Sequence, residues 1–158
     1  MKKQTRIYII SVAVSLGAGI LSALLTRGNM NIYEEVNTPP LSPPAFLFPV
    51  VWTVLYVLMG ISAAMVLTTG TARLVKRKNA LSVYGASLFF NFFWSIIFFS
   101  FRAFLFSFVW LVVLLALIIL TIVKYFKINR TAAYLQIPYA LWVTFAGYLN
   151  LGIFILNR

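Results

Sequence analysis

Marking the charged residues along the chain leaves five long uncharged apolar runs between them: Ile7–Leu25, Phe46–Leu67, Ala80–Phe101, Ala103–Val123 and Thr131–Leu156. Each has about the twenty residues that a helix needs to cross a hydrocarbon core. No run alternates in the period-two manner of a barrel strand, whereas a helix satisfies its backbone groups within itself. The pattern predicts an all-α membrane protein: a five-transmembrane-helix bundle forming one domain over residues 1–158.

Composition agrees with this and removes other classes. Hydrophobic residues make up 63% of the chain and charged ones 9%, against roughly 25% charged in soluble domains. A formal net charge of +11 suggests nucleic acid in a soluble protein. Here the basic residues flank the apolar runs instead of lining one face, so no nucleic acid partner is expected and the lipid bilayer is. There is no cysteine and no histidine, which removes thiolate chemistry and the commonest metal ligand and acid–base group. No metal site is expected. Lys2, Lys3 and Arg6 before the first run resemble the start of a signal peptide, but nineteen apolar residues without an A-x-A site favour a retained span.

Lys and Arg also give a direction. Ten lie on the N-terminal side of the spans (Lys2, Lys3, Arg6, Arg73, Lys76, Arg77, Lys78, Lys124, Lys127, Arg130) and three opposite (Arg27, Arg102, Arg158). The positive-inside bias places the N-terminus in the cytoplasm and the first loop and C-terminus outside. A bacterial cell membrane is the expected location.

The first loop, residues 26 to 45, holds the only two acids, Glu34 and Glu35, and Pro39, Pro40, Pro43 and Pro44. Proline fixes its own φ and restricts its predecessor, so the segment is expected to be extended and stiff. It is either a tether ending in a helix start or a functional cover. Inside the spans, the informative residues are polar or aromatic. Phe48, Trp52, Tyr56 and Met59 share one helical face, as do Ser87, Asn91, Trp94 and Phe98, and Pro138, Trp142, Ala146 and Asn150. Trp52, Trp94 and Asn150 fall at similar depth beneath the first loop, with Asn91 and Trp142 nearer the midplane. An amide in lipid must find partners, so Asn91 and Asn150 are either interhelical glue or part of a site. An aromatic cleft with a few polar groups suits flat ligands. Trp110, with no polar companion, is expected to be an interfacial anchor. Ser11, Ser15 and Gly19 make a small-residue stripe fit for a helix contact within or between chains.

Taken together, these residues resemble the translocator protein/tryptophan-rich sensory protein (TspO/MBR) family. The resemblance rests on Tyr33, Pro39, Pro43, Pro44, Phe48, Trp52, Leu55, Tyr56, Met59 and Gly60; on Tyr84, Asn91, Trp94 and Phe99; and on Pro138, Tyr139, Trp142, Ala146, Leu149 and Asn150. It covers all five spans in order. It implies a pocket beneath the first loop that takes porphyrins and other flat hydrophobic molecules. By motif position, that pocket comprises Tyr33, Trp52, Tyr56, Asn91, Trp94, Trp142, Ala146 and Asn150, with Pro39, Pro43 and Pro44 as a lid. It also implies a possible homodimer, no required cofactor, and porphyrin as a ligand. Four positions depart from the family pattern: Ile32 stands for a Trp, Val36 for a Leu, Thr38 for a Lys and Ser87 for a Gln. A sterol-type pattern at Val123, Tyr125 and Lys127 falls where a helix end carries such residues anyway.

Three functions remain open: a receptor, sensor or carrier for porphyrins; a photo-oxidative porphyrin-degrading enzyme with Trp52 and Trp142 as redox partners; and a structural or regulatory membrane subunit.

Overall fold

Charge-free runs mark the part of each helix that lies in hydrocarbon, and the helices themselves reach further. A computed structural model describes residues 2–158. Its elements are α1 (Lys3–Thr26), a 3-10 turn (Arg27–Asn29), a short α2 (Ile32–Glu35), α3 (Leu47–Thr68), α4 (Leu74–Ser95) running into a π-helical turn (Ile96–Ser100), α5 (Phe104–Phe126) and α6 (Arg130–Leu156). Helix α4 begins well ahead of Ala80 because its first turns take in Lys76, Arg77 and Lys78. Long basic side chains lay their stems along a helix and keep their charge among headgroups, so charge does not end the helix where it ends the apolar run. Among the described residues there is no strand, and five helices are long and apolar enough to cross a membrane.

The five long helices close into a ring. Helix α1 packs on α3 and α4, α3 on α6, α6 on α5, and α5 on α4. Lipid tails are as apolar as leucine, so close packing and interhelical hydrogen bonds hold such a ring rather than the hydrophobic effect. Both are present. The Ser15 hydroxyl donates to the Tyr56 carbonyl at 2.7 Å and Ser22 to the Phe92 carbonyl at 3.1 Å, tying α1 to α3 and α4. Ser62 donates to the Ala132 carbonyl at 2.7 Å and receives the Gln136 side-chain amide at 3.2 Å, tying α3 to α6. Gly60 lets α1 approach α3, since a Cβ there would sit 2.5 Å from the Val12 Cα. The Ser15 and Gly19 part of the small-residue stripe thus packs within the chain.

Trp110 differs from expectation. Its indole N–H donates to the Phe90 carbonyl at 2.7 Å, and its ring stacks on Phe90 with centroids 4.3 Å apart. It clasps α5 to α4 instead of standing alone at the interface.

Aromatic cavity beneath the first loop

The π-helical turn sets up the first wall of the site. A π turn holds one residue more than an α turn and is frequent at functional sites. After Trp94 it brings both Phe98 and Phe99 inward: Trp94 and Phe98 stack at 5.4 Å, Phe98 is buried, and Phe99 reaches a cavity. That cavity, of about 490 Å³, is walled by Gly19, Tyr33, Phe48, Trp52, Tyr56, Trp94 and Phe99, with Arg27 and Met30 among its outer lining. Its volume lies within the range of small-molecule sites, roughly 300–1,000 Å³. The rings form a continuous lining. Tyr33 stacks on Phe48 at 5.0 Å, Trp52 lies 5.7 Å from Tyr56 and 6.4 Å from Trp94, and Trp94 meets Phe99 edge-on at 6.3 Å.

Of the residues picked out by motif position, Tyr33, Trp52, Tyr56 and Trp94 line this cavity. Trp142 lines a different space, an open apolar groove of about 540 Å³ between α3 and α6 with Val50, Val54, Leu58, Pro138 and Leu141. Phe48 stands between the two, stacked on Tyr33 on one side and edge-on to Trp142 at 5.9 Å on the other. Asn150 is buried with its amide in use: its oxygen accepts from Trp94 Nε1 at 3.2 Å and from Ser107 at 3.0 Å, and its nitrogen donates to the Phe104 carbonyl at 2.7 Å. It joins α4, α5 and α6 and fixes the Trp94 ring that faces the cavity. Asn91 is 1% exposed, and neither end of its amide has a hydrogen-bond partner. Ala146 is buried at 5% exposure.

Pro39, Pro43 and Pro44 are not among the residues that line the cavity. Pro39 seats against Gly152 of α6, where an added Cβ would lie 2.6 Å from the proline ring. Tyr148 donates to the Pro40 carbonyl at 2.7 Å, and Asn157 exchanges two bonds with the Asn37 backbone at 2.9 and 2.8 Å. Glu35 pairs with Arg102 at 2.6 Å. The loop is therefore a strap latched to α6 and, through Arg102, to the turn that leads into α5, and the cover over the cavity comes from α2 and from Ala45 to Pro49. Pro43 and Pro44 lead into α3, with Pro44 accepting from the Leu47 N–H at 3.0 Å.

The α1 wall was invisible in the sequence. Gly19, Ile20 and Ala23 carry no polar or aromatic signal, and only the small-residue stripe hinted that Gly19 meets another helix. Here it meets the Tyr56 ring. Arg27 is the one basic residue of the lining.

Known proteins resemble the chain along almost its whole length. The profile of the TspO/MBR family matches residues 11–156. The tryptophan-rich protein TspO of Chlorobaculum tepidum is 33% identical over 162 residues, covering 99% of each chain. The tryptophan-rich sensory protein of Cereibacter sphaeroides is 33% identical over 79% of this chain and 76% of its own. The translocator protein of Bos taurus is 31% identical over 86% of this chain and 80% of its own. Five apolar membrane-spanning helices and a match from Ser11 to Leu156 lead to one conclusion: the chain is a multi-pass integral membrane protein and belongs to the TspO/MBR family.

Proposed function

We propose that the protein binds flat, hydrophobic aromatic molecules, porphyrins among them, in the cavity beneath the first loop, and acts as a membrane sensor or carrier for them. One observation carries this: a cavity of about 490 Å³ whose walls include six aromatic side chains, Tyr33, Phe48, Trp52, Tyr56, Trp94 and Phe99. Offset and edge-on stacking on such walls favours flat ring systems, by about 0.5–1.5 kcal/mol per pair beyond area burial. A wall held in place by Asn150 and a strap latched at several points reduce the ordering cost of binding. Relatives named for sensing and translocation agree with the reading. In the proposed orientation the strap faces outward, following the Lys and Arg distribution.

Trp52 faces the cavity and Trp142 the separate groove, which favours binding over photo-oxidation by that pair. Titration of tryptophan fluorescence with protoporphyrin tests the proposal. Saturable quenching is expected, weakened about threefold to tenfold by Trp52→Leu and unchanged by Trp142→Phe. The absence of saturable quenching in the wild type overturns it. Pigment loss under light that depends on both Trp52 and Trp142 would favour the enzymatic reading.

A further inference from the structure

Below the aromatic cavity the bundle contains a second group of polar side chains, drawn from α4, α5 and α6, that does not line the cavity. Tyr139 and Tyr125 are 0% exposed, Asn91 is 1% and Tyr84 is 8%. None of their side-chain polar atoms has a hydrogen-bond partner. The groups are neighbours. Asn91 lies beside Tyr56 and Tyr139, and Tyr84 lies near both tyrosines. The Tyr84 and Tyr125 rings are 6.4 Å apart. At the top, Tyr56 lines the cavity, and Tyr139 meets Trp52 edge-on at 6.2 Å. At the bottom, Tyr125 is the penultimate residue of α5, between Lys124 and Lys127.

A buried polar group in a membrane protein that lacks a partner costs several kcal/mol, and native structures leave few of them. Here five such atoms fall in one column: both ends of the Asn91 amide and three tyrosine hydroxyls. Polar groups that face one another beyond direct hydrogen-bond reach are the usual partners of a bridging water, which needs two to four of them. A hydroxyl both donates and accepts, and a primary amide does so at its two ends. The column therefore offers matched partners to water and carries no charge to attract an ion.

We propose that Tyr56, Asn91, Tyr139, Tyr84 and Tyr125 line a binding site for a file of water molecules, running from the floor of the aromatic cavity to the inner end of α5. The bundle is then a hydrated half-channel: polar from the cavity floor to the Lys124 end, and apolar around its outside.

Hydroxyl-radical footprinting of the full chain in lipid nanodiscs tests this, because radiolysis of bound water labels side chains that bulk solvent does not reach. Tyr84, Tyr125 and Tyr139 are expected to be labelled above the level of Leu114 and Phe98, which are buried among apolar side chains, after correction for intrinsic reactivity and for the slightly greater exposure of Tyr84. Protection of any one of the three tyrosines breaks the file and overturns the proposal. Tyr139→Phe gives an independent sign. Removing a hydroxyl that holds water is expected to lower the Tm by about 2–4 °C, whereas a dry, unpaired hydroxyl would be better replaced by hydrogen. A raised Tm in that variant overturns the proposal.

Discussion

Gly60 and Gly19 show how differently two glycines on neighbouring helices act. At Gly60, an added methyl would meet the backbone of Val12, which cannot move without separating α1 from α3. At Gly19, it would meet the ring of Tyr56, a side chain with the cavity beside it. Gly60→Ala is therefore expected to destabilise the fold by about 1–3 kcal/mol, read as a lower unfolding temperature in detergent. Gly85→Ala, where nothing lies within 4 Å, serves as the control and should hold or gain stability through helix propensity. Equal behaviour of the two variants would show that the α1–α3 contact is not tight. The two asparagines contrast in the same way. Both read in the sequence as glue or site, and helical spacing had no means of choosing. Tertiary contacts make Asn150 a three-helix junction and leave Asn91 beside Tyr56 and Tyr139.

Among the elements, the first loop departs most from a simple picture. Its prolines suggested a stiff lid; in the structure Pro39 and Pro40 fasten the loop to α6, while Pro43 and Pro44 lead into α3. The fastening is local and specific: the Asn37 N–H donates to Asn157 Oδ1, and the Asn157 amide nitrogen donates back to the Asn37 carbonyl. One such bond is worth about 1 kcal/mol net. Asn157→Ala is expected to speed amide hydrogen exchange at Asn37 about fivefold, with exchange in the middle of α6 unchanged. An unaltered Asn37 rate would mean that Pro39 on Gly152 and Tyr148 on Pro40 hold the strap without it. Glu35→Gln should matter less, since its partner Arg102 and Glu35 are both about half exposed and exposed ion pairs contribute ~0–1 kcal/mol.

At the scale of the whole molecule, the open question of direction has a direct check. The chain lacks cysteine, so one introduced thiol reports one site. Leu41 in the strap and Thr71 between α3 and α4 are both exposed and lie at opposite ends of the bundle. In intact cells, Leu41→Cys is expected to react with a membrane-impermeant maleimide, and Thr71→Cys only after permeabilisation. The reverse pattern would place the strap and cavity on the cytoplasmic side, against the ten-to-three distribution of Lys and Arg.

By itself, the sequence determined the class, the number of spans and the family. Each rests on a local or additive property: uninterrupted apolar length, the placement of charge, and motifs carried within single helices. It also indicated the faces bearing Trp52, Tyr56 and Trp94, because side chains four residues apart share a helix face whatever lies opposite. Which helix lies opposite is a matter of packing between segments distant in the chain, and only the tertiary structure decided it. The ring order put Gly19 of α1 against Tyr56, turned Trp142 into a groove separated from the cavity by Phe48, and closed Asn150 on Trp94. It also drew four hydroxyl-bearing or amide-bearing helices together around a column that no single stretch of sequence foretells.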